Sequence, residues 1–485
     1  MNFTSPLYLY FLVILFIVYK IFRQFKQPSF GILWILLPAS YFFYGVYSPK
    51  YLLLIAIPTI VDFHLGKKIF QAKNQKKFFF LVLSLCLNIG ILGFFKYANF
   101  GIEILNSILF RKNLLENGLF ISVILPAGIS FYTFQSMSYT IDVYRGKICP
   151  EKSIFRYALY LAFFPQLVAG PIVVARDLLP QIETLGFQKQ TSYSKVIYLL
   201  LLGFTKKAVI ADKIAPTIDI LYAHPTFFTA GDWIIGLFAY SLQIYCDFSG
   251  YTDIARGSAL AFGIYLPENF NLPYLSSSFS EFWRRWHITL SGWLREYLYI
   301  SLGGNRVSVV RTMINLLLTM LLGGLWHGAS WNFVIWGGCH GVLLSLERYF
   351  QKYHFSGFPE GSTGSFWQKM GFLTLFSLRR IIVFLCITGL WVFFRSKDLS
   401  VSQEVFSVIF SGGDGFHLGY KERNFVFANF FVVGVSHWIG YKYGDRISAG
   451  LEKEISWILG TLFALWLFLA VSLSRESRPF LYFVF

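Results

Sequence analysis

Charged residues are scarce in this chain of 485 residues, because Asp, Glu, Lys and Arg together make up only 14% of it. Soluble globular domains contain about 25% of these residues. Hydrophobic residues make up 55% of the sequence and aromatic residues 20%. The shortage of charge therefore excludes an ordinary soluble protein and predicts an integral membrane protein.

Motifs of several common site classes are also missing. The sequence has no H-E-x-x-H zinc motif, no Walker phosphate-binding loop and no G-x-G-x-x-G dinucleotide motif. Its five cysteines, at positions 86, 149, 246, 339 and 386, form no C-x-x-C pair and no zinc spacing. We therefore expect no structural disulfide and no metal site.

Acidic residues are outnumbered by basic ones, 25 against 42, and the net charge is +17. Excess Lys and Arg are typical of the cytoplasmic loops of membrane proteins. No basic run is interleaved with a nucleic-acid motif, so we expect a lipid bilayer and no nucleic acid as partner. Five lysines between positions 67 and 77 predict a cytoplasmic loop, and counting back three spans predicts an external N terminus.

Apolar runs long enough to cross a bilayer recur along the chain. The first, 6–22, has neither a cationic start nor a cleavage site, so we expect it to be retained rather than removed as a signal peptide. Runs 119–137 and 154–174 contain Pro and Gly, which predicts broken or re-entrant segments. The other predicted spans are 30–47, 51–65, 78–95, 196–210, 233–248, 313–326, 331–346, 380–394, 425–439 and 457–473.

These runs predict an all-α polytopic membrane protein with about 11 to 13 transmembrane or re-entrant helices. Residues 175–195 and 350–370 are polar and predict loops between spans. The mixed composition of residues 99–118 predicts a segment outside the membrane or at its interface. We expect one integral-membrane domain over 1–485. It comprises N-terminal helices (1–118), a catalytic core (119–350) and C-terminal helices (375–485).

The segment from Ser278 onwards is cationic and aromatic. Ser278 and Glu281 have capping-box spacing and predict a helix start. If the helix is continuous, one face contains Arg284, His287, Ser291 and Arg295, and a separate stripe contains Trp283, Trp286, Leu290, Trp293 and Tyr297. Such a helix suits a lined cavity or a membrane interface, and an interfacial helix with an inert histidine is the alternative.

A second histidine, His327, directly follows the uncharged run 313–326 and has glycines at 323, 324 and 328. An ionisable residue at membrane depth indicates a functional site, although a neutral histidine hydrogen-bonded in a helix bundle is the alternative. The glycines allow close helix packing or the approach of a substrate. His64 and His340 lie outside the two motif cores, so we expect their replacement by Ala to be tolerated.

A cluster of charges follows the span 233–248. Asp247 and Asp253 can pair with Arg256 or with an arginine of the 284–295 helix. We interpret this cluster as a structural ion network rather than as catalytic.

Two long motifs give the sequence a family resemblance. EFWRRWHITLSGWLREYLYISLGGNR (281–306) and LLGGLWHGASWNFVIWGGCHG (321–341) resemble the membrane-bound O-acyltransferase (MBOAT) family, in particular its bacterial branch of alginate O-acetyltransferase membrane subunits. PAGISFYTFQSMSYTIDVYRG (126–146), FFPQLVAGPI (163–172), IYCDFSGYTDIARGSALAFGIYLPENFNLPY (244–274), WVFFRSKDL (391–399) and the C-terminal SRPFLYFVF are also similar to that branch.

The resemblance implies a ring of tilted helices around a central chamber in the bacterial inner membrane. It implies transfer of an acetyl group from a cytoplasmic donor, with acetyl-CoA expected, towards an exported or cell-surface polysaccharide, together with a periplasmic or surface acetyltransferase partner protein. No cofactor is expected to remain bound. D-Alanyl transfer to teichoic acid, or another acyl group and envelope acceptor, is the alternative within the family; a secondary transporter is the alternative outside it.

Acyl transfer to a hydroxyl needs a base and a donor for the developing oxyanion, and imidazole suits the first task. We predict His327 as the base, while His287 binds the carbonyl oxygen, orients the acceptor or shares the proton. No serine or cysteine lies in a nucleophile motif, so direct transfer is preferred, with a transient acyl-histidine as the alternative. The predicted substrate-binding residues are Trp283, Arg284, Trp286, Ser291, Arg295, Trp326 and Asn332.

Overall fold

A computed structural model describes residues 3–25, 28–47, 49–111, 123–168, 170–187, 192–353 and 366–450, and, near the C terminus, 460–461, 464–466, 478 and 480–481. These residues form helices and connections without a β-strand, and a single antiparallel bridge joins Phe270 to Trp286. The prediction of an all-α polytopic membrane protein is confirmed.

The described residues contain eighteen α-helices. Their bounds in chain order are α1 Pro6–Phe22, α2 Pro28–Tyr47, α3 Leu52–Gln71, α4 Asn74–Arg111, α5 Ile129–Tyr144, α6 Ile154–Ala162, α7 Phe164–Leu167, α8 Ala175–Glu183, α9 Tyr193–Phe204, α10 Asp212–Ala223, α11 Ala230–Ala261, α12 Phe279–Arg285, α13 Ile288–Trp293, α14 Val309–His327, α15 Trp331–Tyr353, α16 Phe366–Arg395, α17 Leu399–Ser411 and α18 Tyr420–Gly450. Two π-helical segments, Thr205–Ala211 and Leu294–Tyr299, follow α9 and α13.

Three stretches of helix are long and apolar enough to cross a membrane, namely Asn74–Leu109, Val309–His327 and Ser377–Arg395. Shorter apolar helices include Pro6–Phe22, Gly31–Val46 and Leu399–Ser411. The count of about 11 to 13 spans stays a prediction. The predicted loop 350–370 and the predicted span 457–473 lie largely outside the described residues.

The chain forms two compact units. The first consists of residues 1–208, 250–267 and 451–484, and the second of 209–249, 268–450 and 485. Every predicted site residue belongs to the second unit.

In the first unit several helices extend further than their apolar runs. Residues 99–111 continue α4. Residues 175–183 form α8, so the prediction of a loop over 175–195 was wrong for this part of the stretch. The lysine cluster is not a loop either: α3 ends at Gln71, α4 begins at Asn74, and only two residues lie between them. Polar residues with good helix propensity extend these helices past the bilayer-length apolar run.

The interior of the first unit contains polar groups that form hydrogen bonds and ion pairs with one another. Asp62 on α3 is fully buried and accepts hydrogen bonds from Asn88 on α4 at 2.6 Å and from Ser136 on α5 at 2.5 Å. Asp253 pairs with Lys206 at 2.7 Å and with Arg256 at 3.6 Å. The Asp253–Arg256 part of the predicted ion network is therefore confirmed, whereas Asp247 belongs to the second unit.

The predicted breaks at Pro and Gly are confirmed. Gly128, with φ of +76°, precedes α5, and a Cβ there would overlap the carbonyl oxygen of Leu167. The run 154–174 divides into α6 and α7 at Phe163, and Pro165 occupies the first turn of α7, where its missing N–H costs no hydrogen bond.

In the second unit α14 and α15 pack closely through glycine. A Cβ on Gly324 of α14 would overlap the carbonyl oxygen of Phe333, and one on Gly337 of α15 would overlap the carbonyl oxygen of Met320. The two backbones approach at these points because no side chain separates them. This packing brings the C-terminal end of α14, where His327 lies, against α15, which contains Trp336 and His340.

Candidate active site

The first histidine motif does not form a continuous helix. α12 ends at Arg285, His287 has φ of +43°, and α13 begins at Ile288, so the expectation of one helix through this segment was wrong. The break frees backbone groups, and the loop before α12 satisfies them: the Asn271 N–H donates to Arg285 O at 2.9 Å, and the Ile288 N–H donates to Asn269 O at 3.0 Å.

The start of α12 is held by both predicted and unpredicted contacts. Ser278 Oγ accepts from the Glu281 N–H at 3.1 Å, which confirms the predicted cap. Glu281 itself accepts from the Ser277 N–H at 2.7 Å. Glu347 on α15 accepts from the Phe279 N–H at 2.7 Å, and thus places a carboxylate at the positive end of the helix.

A cavity of about 430 Å³ opens beside these short helices. Its wall contains five of the predicted site residues, namely Trp283, Arg284, Ser291, Arg295 and His327. Arg284, Ser291 and Arg295 share this wall, as expected for one polar face, although the helix is broken. Other polar groups of the wall belong to Ser280, Tyr299, Asn305, Thr319, Glu347, Arg348 and Gln351.

His327 is the last residue of α14 and is 5% exposed, at the cavity wall. Aromatic rings surround it: its ring centroid lies 5.1 Å from that of Trp336 and 5.2 Å from that of Phe394, both at steep angles. The ring of His287 lies 6.4 Å away. His327 is thus a titratable group in contact with both an apolar interior and an open space.

His287 lies behind the cavity wall and is not part of the lining. It is 0% exposed, and its Nδ1 lies 3.1 Å from Oδ1 of Asn269. Burial lowers the pKa of His287, which lies between two helices too short to span a bilayer, to about 3. The ring is therefore neutral at physiological pH.

Three predicted substrate-binding residues lie outside the lining. Trp286 is buried against Phe282 and Trp391, with ring centroids 5.5 Å and 5.0 Å away. Asn332 is buried, and its amide nitrogen donates to Ser396 O at 3.0 Å while its oxygen accepts from Ser402 Oγ at 3.2 Å. These contacts are structural; the substrate-binding role of Trp286 and Asn332 stays a prediction.

Trp326 is likewise buried, although it lies next to His327 in the chain. Its ring centroid lies 5.9 Å from that of His287 and 5.0 Å from that of His327. Trp326 thus packs against both predicted catalytic rings without lining the cavity. Its substrate-binding role also stays a prediction.

Sequence reasoning missed the contribution of α15 to the cavity. Trp336 and Arg348 line the wall with Glu347. Trp336 belongs to the second motif that carries the family resemblance. Glu347 and Arg348, at the end of α15, lie in no motif, so the sequence did not indicate that they line the cavity. In the described part of the chain no carboxylate pairs with Arg284, Arg295 or Arg348, because Glu347 caps α12 instead.

The cavity therefore has an excess of positive charge beside a histidine. Guanidinium groups bind phosphate and carboxylate groups, and a neutral imidazole accepts a proton. Among the described residues no group of three or more His, Cys, Asp or Glu side chains gathers at a common point. The five cysteines are free thiols.

Comparison with known proteins adds an independent finding. Residues 150–359 match the sequence model described as MBOAT, membrane-bound O-acyltransferase family. The chain is 42% identical over 388 residues to the probable alginate O-acetylase AlgI of Azotobacter vinelandii, which covers 78% of this chain and 73% of that protein. It is 38% identical over 440 residues to the peptidoglycan O-acetyltransferase of Helicobacter pylori, with coverage of 83% and 78%.

The chain is more distantly similar to a protein whose name gives a different acyl group. It is 29% identical over 250 residues to the teichoic acid D-alanyltransferase of Bacillus subtilis, covering 47% of this chain and 60% of that protein. The matched proteins thus share acyl transfer and differ, by their names, in the acyl group and the acceptor.

Proposed function

This chain belongs to the membrane-bound O-acyltransferase family and is an integral-membrane acyltransferase, and on that premise we propose that it transfers acetyl groups to hydroxyls of an exported or cell-surface polysaccharide. The names of the relatives that match most of the chain support acetyl as the acyl group and a glycan as the acceptor. The observation that carries the mechanism is the position of His327 in the wall of a cationic cavity.

His327 is proposed as the general base. The acceptor hydroxyl oxygen forms a bond to the acyl carbonyl carbon while His327 takes the hydroxyl proton. When the bond between the acyl carbon and the donor's sulfur breaks, the proton passes to the departing thiolate, and an ester and a free thiol result. The rings of Trp336 and Phe394 pack against His327 and hold it at the cavity wall, where this step would take place.

The acyl donor is proposed to be an acetyl thioester with an anionic carrier, of which acetyl-CoA is the expected example. Arg284, Arg295 and Arg348 support this proposal, because three guanidinium groups that have no carboxylate partner among the described residues suit a donor that contains phosphate. The donor is not a resident cofactor but a substrate consumed in each turnover.

The acceptor side is proposed to lie across the bilayer from the donor. We place the protein in the bacterial cytoplasmic membrane, where a cytoplasmic donor and an exported polysaccharide meet on opposite faces. A periplasmic or surface acetyltransferase partner is proposed to complete the transfer.

The first test replaces the base. His327→Ala is expected to reduce transfer by about 10² to 10⁴-fold, the usual effect of removing a general base. The readout is the O-acetyl content of the exported polymer, normalised to protein in the membrane fraction. His64→Ala, an exposed histidine on α3, is the control and retains wild-type transfer. Near-normal acetylation by His327→Ala at equal abundance would show that His327 is not the base.

The second test separates the acyl groups. Membranes containing the protein receive either labelled acetyl-CoA or a D-alanyl carrier protein, and label in polymer is measured. Incorporation from acetyl-CoA alone, lost in His327→Ala, supports the proposal. Incorporation from the D-alanyl carrier alone would replace acetyl by D-alanyl as the acyl group.

A further inference from the structure

Asn269 makes more contacts with the broken helix than any sequence pattern indicated. It is buried, and it lies in the loop that pairs with residues 285–288. Its side-chain oxygen lies 3.1 Å from the Thr289 N–H nitrogen, 2.9 Å from Thr289 Oγ1 and 3.1 Å from Nδ1 of His287. One amide oxygen thus meets three groups at the point where the helix breaks.

The hydrogen-bond partners fix which amide atom is the oxygen. A backbone N–H only donates, so the atom of Asn269 that faces Thr289 N is an acceptor and is therefore Oδ1. The same atom faces Nδ1 of His287, and an amide oxygen has no proton to give. His287 Nδ1 must then be the donor, which places the proton of the neutral ring on Nδ1 and leaves a lone pair on Nε2.

We infer that Asn269 is a positioning residue that holds His287 in the tautomer with its proton on Nδ1, so that Nε2 serves acyl transfer as a hydrogen-bond acceptor. Nε2 is buried and has no hydrogen-bond partner among the described residues. This inference rests on the proposed function. It excludes one of the three roles considered for His287, because a neutral ring whose N–H is held by Asn269 cannot donate to an acyl carbonyl oxygen.

The rings that pack against His287 do not compete with Asn269 in fixing the tautomer of its imidazole. Its ring contacts come from Phe248 on α11 and from Trp326 and His327 on α14, with centroids at 4.6, 5.9 and 6.4 Å. Of these three only His327 titrates. His287 has a left-handed backbone, with φ of +43°, a conformation that histidine, asparagine and aspartate adopt more often than other residues apart from glycine.

The first experiment removes Nε2 and keeps the Nδ1 contact. In His287→Asn the new amide nitrogen stands near the position of Nδ1 and donates to Asn269, and asparagine tolerates a positive φ. His287→Asn is expected to accumulate like the wild-type protein and to lose transfer by about 10²-fold or more, as His287→Ala does. If His287→Asn restores the transfer that His287→Ala loses, Nε2 has no role and the inference is wrong.

The second experiment changes the charge of the positioning residue. Asn269→Asp retains an oxygen for the three donors, and it removes no hydrogen bond among the described residues, because the Asn269 amide nitrogen has none. A carboxylate beside His287 raises the pKa of the ring by about 1 to 3 units. The imidazolium, whose Nε2 cannot accept, then persists to higher pH. The acidic limb of the pH–rate profile is therefore expected to move up by about 1 unit or more.

Asn271→Asp is the matched control. Asn271 is exposed, lies two residues away in the same loop and contacts Arg285 through its backbone. The acidic limb of the pH–rate profile of Asn271→Asp is expected to coincide with that of the wild-type protein. An Asn269→Asp profile that coincides with the Asn271→Asp profile at equal abundance would overturn the positioning role.

The outcomes separate this inference from the proposed function. Wild-type transfer by His327→Ala would remove the proposed base, whatever His287 does. An inactive His327→Ala together with a fully active His287→Asn would leave the proposed function standing and remove only the role of Nε2.

Discussion

Three histidines of the second unit, His327, His287 and His340, have different surroundings. His327 reaches the cavity, His287 is held by Asn269, and His340 on α15 is fully buried between the rings of Trp283 at 5.1 Å and Trp336 at 4.8 Å. Neither ring nitrogen of His340 has a hydrogen-bond partner among the described residues. Burial and partners, rather than residue type, therefore decide what each imidazole does.

His340 changes one expectation drawn from the sequence. The sequence predicted that His340→Ala would be tolerated, because His340 lies outside the two motif cores. In the structure, however, the His340 ring supports two tryptophans of the cavity wall. His340→Ala is expected to lower the unfolding free energy by about 2 kcal/mol, the order of a large-to-small core change, and to reduce transfer because both tryptophans lose support. Thermal denaturation in detergent and the normalised transfer assay measure the two effects.

The control for this prediction keeps an aromatic ring. His340→Phe fills a similar space and removes no hydrogen bond to a described residue, so it is expected to keep most of the stability that His340→Ala loses. His340→Ala with the melting temperature and rate of the wild-type protein would contradict the packing argument.

At the scale of helices, the site depends on two departures from regular structure. The break at His287 separates α12 from α13, and the glycines of α14 and α15 let two backbones approach. The break releases the His287 ring from the polar face of the helix into the interior. The glycine contact fixes His327 and Trp336 with respect to each other, at 5.1 Å between ring centroids.

Two adjacent glycines of α15 test this contact. Gly337→Ala places a methyl group against the carbonyl oxygen of Met320, which separates α14 from α15 and reduces transfer by about 10-fold or more through misplacement of the base. Gly338→Ala meets only Leu321 Cδ2 at 3.5 Å, an ordinary contact, and is expected to retain transfer. Transfer and melting temperature are measured for both variants. Equal behaviour of the two would show that the close approach does not matter.

At the scale of the whole molecule, charge distribution determines how the chain enters the membrane. Lys67 and Lys68 end α3, and Lys76 and Lys77 begin α4, so the cluster is a pair of helix ends with a two-residue connection. The positive-inside argument counts charges near the ends of spans and does not require a loop. The proposal of a cytoplasmic cluster and an external N terminus is therefore unchanged by this correction.

Single-cysteine labelling tests this topology in a protein whose five native cysteines are replaced. Asn74→Cys is expected to stay unlabelled by an impermeant reagent in intact cells and to react after permeabilisation. Lys50→Cys, an exposed position in the connection between α2 and α3, is expected to react from outside. Labelling of position 74 but not of position 50 in intact cells would invert the orientation.

The sequence by itself determined the features that depend on local composition. Apolar runs of bilayer length predicted α1 with its bounds, Pro and Gly predicted the breaks before α5 and within 154–174, and the spacing of Ser278 and Glu281 predicted the start of α12. The glycines around His327 allowed either a close helix contact or the approach of a substrate, and two motifs indicated the family. Each of these follows from residues close together in the sequence, because propensity, capping and hydropathy act within one segment of the chain.

Only the tertiary structure decided which residues share the cavity. The helix break depends on two backbone hydrogen bonds to an earlier loop, one from the Ile288 N–H to Asn269 O, 19 positions apart, and one from the Asn271 N–H to Arg285 O, 14 positions apart. The α12 cap depends on Glu347, 68 positions after Phe279. A continuous-helix pattern cannot show either contact, since helical periodicity assumes that the ladder of backbone hydrogen bonds is intact. For the same reason the sequence could not show that His287 lies away from the polar face on which periodicity placed it. Nor could it show that Arg348 and Trp336, which belong to another helix, line the cavity.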